Sequence, residues 1–356
     1  MSERDIDYII IGQGIAGTIL SYSLLKEKKQ ILIIDEPSLS SCSKIAAGSF
    51  NPIVFKKFAK SFKADEIIPF LEDFYKDAEK FLGISFFMKK QMIKLFTEDQ
   101  EKILWMKKVN SEEGKYLSAE IKTDFHNDIL NNVNGCAIVN NAGNVQTAKF
   151  IEGFKNYFKK EKILLEEIFE YDALKIFDSQ VNYKNIRAKR IIFCDGWKVM
   201  KNPYFSYLPF RPAKGELLKI KIPDFSTDKI IHKGISLLPI GDNLFIAGST
   251  FNWNDLTDIP SEKGKGELIE KLDKLLKVPY EIVDHLAGVR PSVKDLRPII
   301  GLHLKYQSIG IFNGMGTKGI MLAPYYANQF INFLEQNIPL DKEVNINRFL
   351  KDLPEN

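Results

Sequence analysis

Gly12, Gly14 and Gly17, which end the apolar run Tyr8 to Ile11, are the first residues in this chain whose spacing could do chemistry. In the pattern GxGxxG the first glycine allows a tight turn, the second lets a pyrophosphate approach bare backbone, and the third lets a helix pack closely on its strand. Phosphates placed there meet unpaired N–H groups at the positive end of a helix dipole. An acid completes the pattern, because Asp35 closes a second apolar run, Gln30 to Asp35, about twenty residues beyond the last glycine and is expected to accept from a ribose hydroxyl. An acid at this position disfavours a 2′-phosphate, so NADP is disfavoured and FAD or NAD remain.

The same spacing recurs at Gly314, Gly316 and Gly319, within NGMGTKG. A second nucleotide would need another strand carrying an acid, yet only a helix and a polar tail, Asp341 to Asn356, follow. The second motif therefore reads as a helix N-terminus aimed at the same ligand from its opposite end. Such an end stabilises negative charge, which reduced flavin carries at N1 and C2=O and NAD does not. No second complete nucleotide site is visible for NADPH, so electrons are expected to enter from an organic substrate. Between the motifs, in AGVRPSVKDLRPIIG, stands Arg290. A guanidinium fork matches a carboxylate with two parallel hydrogen bonds; the competing reading is a salt bridge joining two domains.

These residues need elements to hold them. The pattern predicts strands at Tyr8 to Ile11 and Gln30 to Asp35 flanking a helix at Ile15 to Lys26, the first βαβ unit of a parallel sheet. Pro37 to Pro52 has small residues and little pattern, and is expected to contact the ligand. Ala64 to Leu82 reads as an amphipathic helix packed on the sheet. Ser85 to Leu95 and Cys136 to Val139 read as strands around a helix near Trp105, followed by a helix at Val145 to Phe158 and strands at Ile163 to Glu167 and Tyr171 to Phe177. Arg190 to Trp197 (RIIFCDGW) is a buried strand whose end places Gly196 and Trp197 near the cofactor. Arg211 to Ile222, Ile235 to Ile240 and Asn243 to Ser249 alternate as antiparallel strands, a helix follows at Gly264 to Leu276, and a last strand and helix run from Ser308 through Phe330. The fold class is α/β (α+β overall), with a doubly wound Rossmann-like FAD-binding domain from residues 1–83, 143–210 and 285–356. A mixed, largely antiparallel sheet at 84–142 and 211–284 forms the substrate domain.

Composition sets limits. The 356 residues are 45% apolar and 27% charged, which fits a globular chain long enough for two domains. A net charge of +4 with dispersed lysine pairs gives no reason to expect nucleic acid. Three cysteines, Cys42, Cys136 and Cys194, lack CxxC spacing and suit a reducing compartment; no zinc or haem spacing is present. Asp5, Asp7 and the glycines argue against a signal peptide or membrane span at the N-terminus, so a cytoplasmic location is expected, and the oligomeric state stays open.

Taken together, the first glycine motif with Asp35, SKIAAGSFNP, RIIFCDGW, KGE at Lys214 to Glu216, AGVRPSVKDLRPIIG and NGMGTKGI resemble the D-amino acid oxidase superfamily of FAD-dependent oxidoreductases. The most similar branch holds glycine oxidase, sarcosine oxidase and the flavin domain of the tRNA methylaminomethyl-uridine-modifying enzyme. The resemblance implies non-covalent FAD, since no cysteine lies near Gly314 to Gly319 and no histidine at Ser41 to Gly48. It places Gly12, Gly14, Ile15, Ala16, Gly17, Asp35 and Glu36 on the nucleotide, with Ile168 near the adenine. Ser43, Ala46, Ala47 and Gly48 lie along the flavin, with Gly196 and Trp197 close by, and Gly314, Met315, Gly316, Thr317, Lys318 and Gly319 lie at its pyrimidine end. Arg290 falls on the arginine that binds a substrate carboxylate. Ser236 and Thr317 stand where glycine oxidase-like members have a tyrosine and a second arginine. The implied activity is oxidation of a C–N bond of an amino acid or carboxylate-bearing amine, with hydride transfer to flavin N5 and reoxidation by oxygen or another small acceptor. A tRNA wobble-uridine flavoenzyme and a non-catalytic flavin-binding protein are the alternatives.

Overall fold

The computed structural model describes residues 4–37 and 41–352; residues 38–40 of the small-residue segment and 353–356 of the polar tail lie outside the described residues. Two large sheets organise the chain. The first has the strand order Ile299–Leu302, Ile309–Asn313, Ile186–Phe193, Arg4–Ile11, Ile31–Asp35, Leu164–Glu166. All neighbours are parallel except the first pair. Parallel strands covered on both faces read as continuous apolar runs, and Tyr8, Ile9, Ile10, Ile31, Leu32, Ile33 and Ile191 to Phe193 are indeed buried. The register sets Ile11 beside both Ile34 and Phe193, and Phe193 beside Ile311. Four strands thus end together, and the residues that follow them, Gly12, Glu36, Cys194 to Gly196 and Gly314, share one edge where α/β sheets bind ligands.

The second sheet runs Glu281–Arg290, Ala213–Lys221, Leu244–Gly248, Ser236–Gly241, Ile230–His232, Phe87–Leu95, Cys136–Val145, Ser49–Phe50. It is antiparallel apart from the Ile230–His232 and Phe87–Leu95 pair. The strand Glu281–Arg290 runs unbroken across the domain boundary expected at 285, and Ser49–Phe50, inside the segment expected to be featureless, pairs with Cys136–Val145. That segment also contains a helical turn, Cys42–Ile45, whose Ser41 hydroxyl accepts from Lys44 N at 3.3 Å. Tyr171–Ala173 is a 3-10 turn, and only Leu174–Ile176 is strand.

The helix Ala64–Leu82 has the expected bounds but a different partner. It packs on the helix Gly319–Gln336, which in turn covers the helix Ile15–Lys26. Tyr75, fully buried, donates from its hydroxyl to Ile320 O at 2.7 Å. Pro324 lies four residues beyond Ile320 and has no N–H for that carbonyl, so the tyrosine supplies the missing donor. The tail is not wholly polar either. Val344 and Ile346 are buried, and Ile346 fills the space over Gly301, where a Cβ would come within 2.6 Å of its Cγ2.

Tyr75→Phe should leave the Ile320 carbonyl buried and unsatisfied, lowering stability by about 1–3 kcal/mol. Urea denaturation of the FAD-loaded protein checks this, with an unchanged slope marking an unaltered native state; an unchanged midpoint would show that the carbonyl is served elsewhere.

Candidate functional site

A cavity of about 1100 Å³ lies between the C-terminal edge of the first sheet and the face of the second. At its start, Gly12 takes φ +99° and its N–H donates to Ile34 O at 2.8 Å. A Cβ there would lie 2.6 Å from Cys194 O. Gln13 N donates to Asp35 Oδ1 at 2.8 Å, so one oxygen of the expected ribose acceptor also locks the turn. Burial is the main influence on the Asp35 carboxyl and raises its pKa, opposed by the Gln13 N–H and by nearby lysines. Gly14 itself has no side chain to cap the helix that starts after it. Ser43 Oγ accepts from Ile15 N at 3.0 Å and binds the segment Ser41 to Ser49 to this turn as one wall.

Most of the expected residues line this cavity: Gly12, Gly14, Ile15, Ala16, Asp35, Glu36, Ser43, Ala46, Ala47, Gly48, Ile168, Gly196, Trp197, Arg290, Met315, Gly316, Thr317 and Gly319. Three do not. Gly17 faces the turn, where a Cβ would sit 1.8 Å from Gly12 O, so its role is helix-to-strand contact. Gly314, at φ +76°, backs onto Val293, whose Cγ2 would be 2.6 Å from a Cβ. Lys318 turns away to donate from Nζ to Ser61 Oγ at 3.0 Å, because one step along a helical turn rotates the side chain off the cavity. Beyond them, the helix Gly319–Gln336 starts with no side-chain cap and no acid in its first turn.

Asp195 is a wall residue that spacing alone did not single out. Its carboxylate accepts from Asn202 Nδ2 at 3.0 Å and Asn313 Nδ2 at 2.8 Å, while burial pushes its pKa up to about 6. Asn313 Oδ1 accepts from Gly314 N at 2.8 Å, so one buried pair ties the two glycine motifs together. Leu256 to Ile259 form another unanticipated wall. The sequence carries no local signal for them; they are held from afar, by Lys214 Nζ donating to Asp255 Oδ2 at 2.6 Å and to Ile259 O. Gly215, Gly248 and Gly288 also face the cavity, and their alternate placement along strands is the one signal that could have marked them.

Arg290 is 9% exposed. Its Nη1 donates to Thr250 O at 3.1 Å, its guanidinium lies 5.0 Å from the Phe251 ring centre, and it rests over Gly215, where a Cβ would collide with Nη2 at 1.8 Å. No described carboxylate pairs with it, so the domain-joining salt bridge is not what the structure holds. Burial lowers its pKa, with the neighbouring Cys42 opposing. Ser236 and Thr317 line the same cavity. A glycine cradle no Cβ could enter, two helix starts that their own cap residues leave uncapped and a carboxylate beside the first turn fit a long ligand with phosphates near Gly14. The unpaired guanidinium leaves room for a second, anionic one.

The model of the family described as FAD dependent oxidoreductase matches residues 7–331. Glycine oxidase of Bacillus subtilis (strain 168) is 24% identical over 96% of this chain and 95% of its own length. A tRNA 5-methylaminomethyl-2-thiouridine biosynthesis bifunctional protein of Leptospira interrogans is 22% identical over 96% of this chain, which spans 59% of that protein. Among solved structures, L-proline dehydrogenase from P. horikoshii superposes with TM-score 0.80 at 15% identity, covering 99% of each chain, which shows a shared fold.

Asp35→Ala removes the acceptor of the Gln13 N–H and the acid at the ribose position. FAD affinity should fall by roughly 5- to 150-fold, the cost of about 1–3 kcal/mol for a lost charged partner. Flavin retained after gel filtration measures it; full retention, with unchanged circular dichroism, would remove Asp35 from the cofactor site.

Proposed function

The chain belongs to the FAD-dependent oxidoreductase family, and from that premise we propose that it oxidises the C–N bond of an amino acid or another carboxylate-bearing amine. One observation carries the substrate class: a guanidinium buried in the cavity wall, held by a single carbonyl and unpaired by any described carboxylate. A guanidinium at a cavity wall with only one carbonyl partner has donors left for the two oxygens of a carboxylate. FAD, when bound, takes the two electrons removed as the C–N single bond becomes an imine, and oxygen or another small acceptor takes them onward.

The chain's own residues contribute position and dryness. Gly12, Gly14 and Asp35 would hold the nucleotide end without a covalent link, with Ser43 tying the flavin-side segment to that turn, and Gly316 and Thr317 would hold the other end. The helix Gly319–Gln336 would direct its partial positive charge there. Arg290 fixes the substrate carboxylate in one orientation, its planar fork held in place between Gly215 and Phe251. Described lining residues include no histidine. That suits a substrate that reacts as the neutral amine, its proton having gone to water before the oxidation. Because a serine and a threonine occupy positions 236 and 317, glycine itself should be a poor substrate.

The tRNA reading draws on the match with the Leptospira protein over nearly the whole chain. A salt-sensitive shift of tRNA in a gel would favour it; an absent shift, with free amino acids bleaching the flavin, would leave the small-molecule reading alone.

Arg290→Ala should reduce kcat/KM by on the order of thirty- to several-thousand-fold, the equivalent of about 2–5 kcal/mol for a truncated desolvated charge pair. Arg290→Lys should fall between, keeping charge but not the fork. Anaerobic flavin bleaching by stopped flow, comparing each acid with its decarboxylated amine, decides the matter. Equal rates for the two, or full activity in Arg290→Ala with FAD bound, would make Arg290 structural and end the amino-acid assignment.

A further inference from the structure

The cavity has a second polar point on the sheet that carries Arg290. Ser236 stands opposite Gly248, and Gly248 opposite Leu217, so one row crosses three strands. Arg290's guanidinium lies over Gly215, two residues from Leu217 on the same strand and on the same face. With neighbouring strands about 4.8 Å apart and about 3.3 Å per residue along each, two spacings across and two residues along place Ser236 roughly 12 Å from the seat of the guanidinium. A molecule as short as glycine cannot touch both.

Ser236 is also unusually well oriented. Its Oγ is 2.9 Å from His232 Nδ1 across the strand pair, and the imidazole stacks on Phe55 with centres 4.2 Å apart and planes 15° from parallel. Burial, with the Lys94 charge adding to it, holds the His232 pKa down to about 3, so the ring is neutral in ordinary buffers. Lys94 itself is paired with Glu101 at 2.9 Å through both carboxylate oxygens. The point offered to the cavity is therefore dipolar and uncharged. An uncharged hydroxyl site matches another hydroxyl or an amide, whereas a carboxylate brought there would lose its water without gaining a cation.

We propose that Ser236, oriented by His232, is a second recognition point of the substrate site, and that the substrate is a carboxylate-bearing amine extended by an uncharged hydroxyl or amide group. This rests on the reading of Arg290 as the carboxylate anchor. His232 is a positioning residue and Ser236 the one that touches the ligand.

Ether acids, which keep the shape but lack the oxidisable amine, test binding apart from turnover. Calorimetric titration of the FAD-loaded enzyme should find (2-hydroxyethoxy)acetate about three- to tenfold tighter than methoxyacetate, the worth of one added hydrogen bond. Diglycolate, with a second carboxylate, should gain nothing. Ser236→Ala should abolish the difference while leaving methoxyacetate unchanged, and His232→Phe, which keeps the stacking, should shrink it. A difference that survives in Ser236→Ala, a hydroxyl that adds nothing, or diglycolate as the tightest ligand would each overturn the proposal while methoxyacetate still binds through Arg290. If methoxyacetate fails to bind, or binds Arg290→Ala equally well, the carboxylate anchor fails and this proposal falls with it.

Discussion

Backbone meets backbone where Gly12, Gly17 and Cys194 converge, and the rest of the molecule is arranged around that contact. A Cβ at Gly17 would lie 1.8 Å from Gly12 O, and one at Gly12 would lie 2.6 Å from Cys194 O. Two parallel strands and the helix that follows the first of them can approach this closely only if those positions carry no side chain. The approach has two results. It seals the apolar interior between the first sheet and the helix Ile15–Lys26, and it brings the turn and the first helical residues, Gly14 to Ala16, to the cavity wall.

The far end of the ligand space is coupled to this turn through polar groups. Asp195 follows directly on Cys194 and receives Asn313, whose own oxygen takes the Gly314 N–H. A buried carboxylate with its pKa near 6 is not there for solvation; the two asparagine amides fix it, and through it the distance between the strand ends. These bonds hold the first glycine turn and the start of the last helix together across the cavity.

How much of this was legible depended on the range of the forces involved. The glycine turns could be read because each glycine answers a backbone constraint within a few residues. The bounds of Ala64–Leu82 could be read from its apolar stripe, but its partner could not, since the helix that covers it begins more than two hundred residues later and the match is made by side-chain shape and by Tyr75 serving a proline-orphaned carbonyl. Lys318 was misplaced by a single helical step, a resolution that motif spacing lacks. Val344 and Ile346 are isolated apolar residues in a polar stretch, with no period to announce that they are buried. Leu256 to Ile259 are held in the wall in part by Lys214, an ion pair with Asp255 across about forty residues that no local pattern encodes. Arg290 was singled out by its position between motifs, yet its most telling property, the missing carboxylate partner, is visible only in three dimensions.

That property depends on the two faces of one strand. Along Ala213–Lys221, side chains alternate. Gly215 faces the cavity and makes room for the guanidinium. Lys214 and Glu216 face the other way and are fully engaged, Lys214 with Asp255 and Glu216 with the N–H and hydroxyl of Ser261 at 2.8 and 2.6 Å. Together they pin both ends of the loop from Thr250 to Ser261. Glu216 N also donates to Thr250 Oγ1 at 2.9 Å, which sets the Thr250 carbonyl that receives Arg290 and the Phe251 ring that covers it. The charged groups behind the sheet are satisfied so that the one in front can stay unsatisfied. A carbonyl and an aromatic face recover only part of the desolvation cost of a buried cation. Its remaining donors face the cavity, and a carboxylate bound there, as proposed above, would take them up without disturbing the groups behind the sheet.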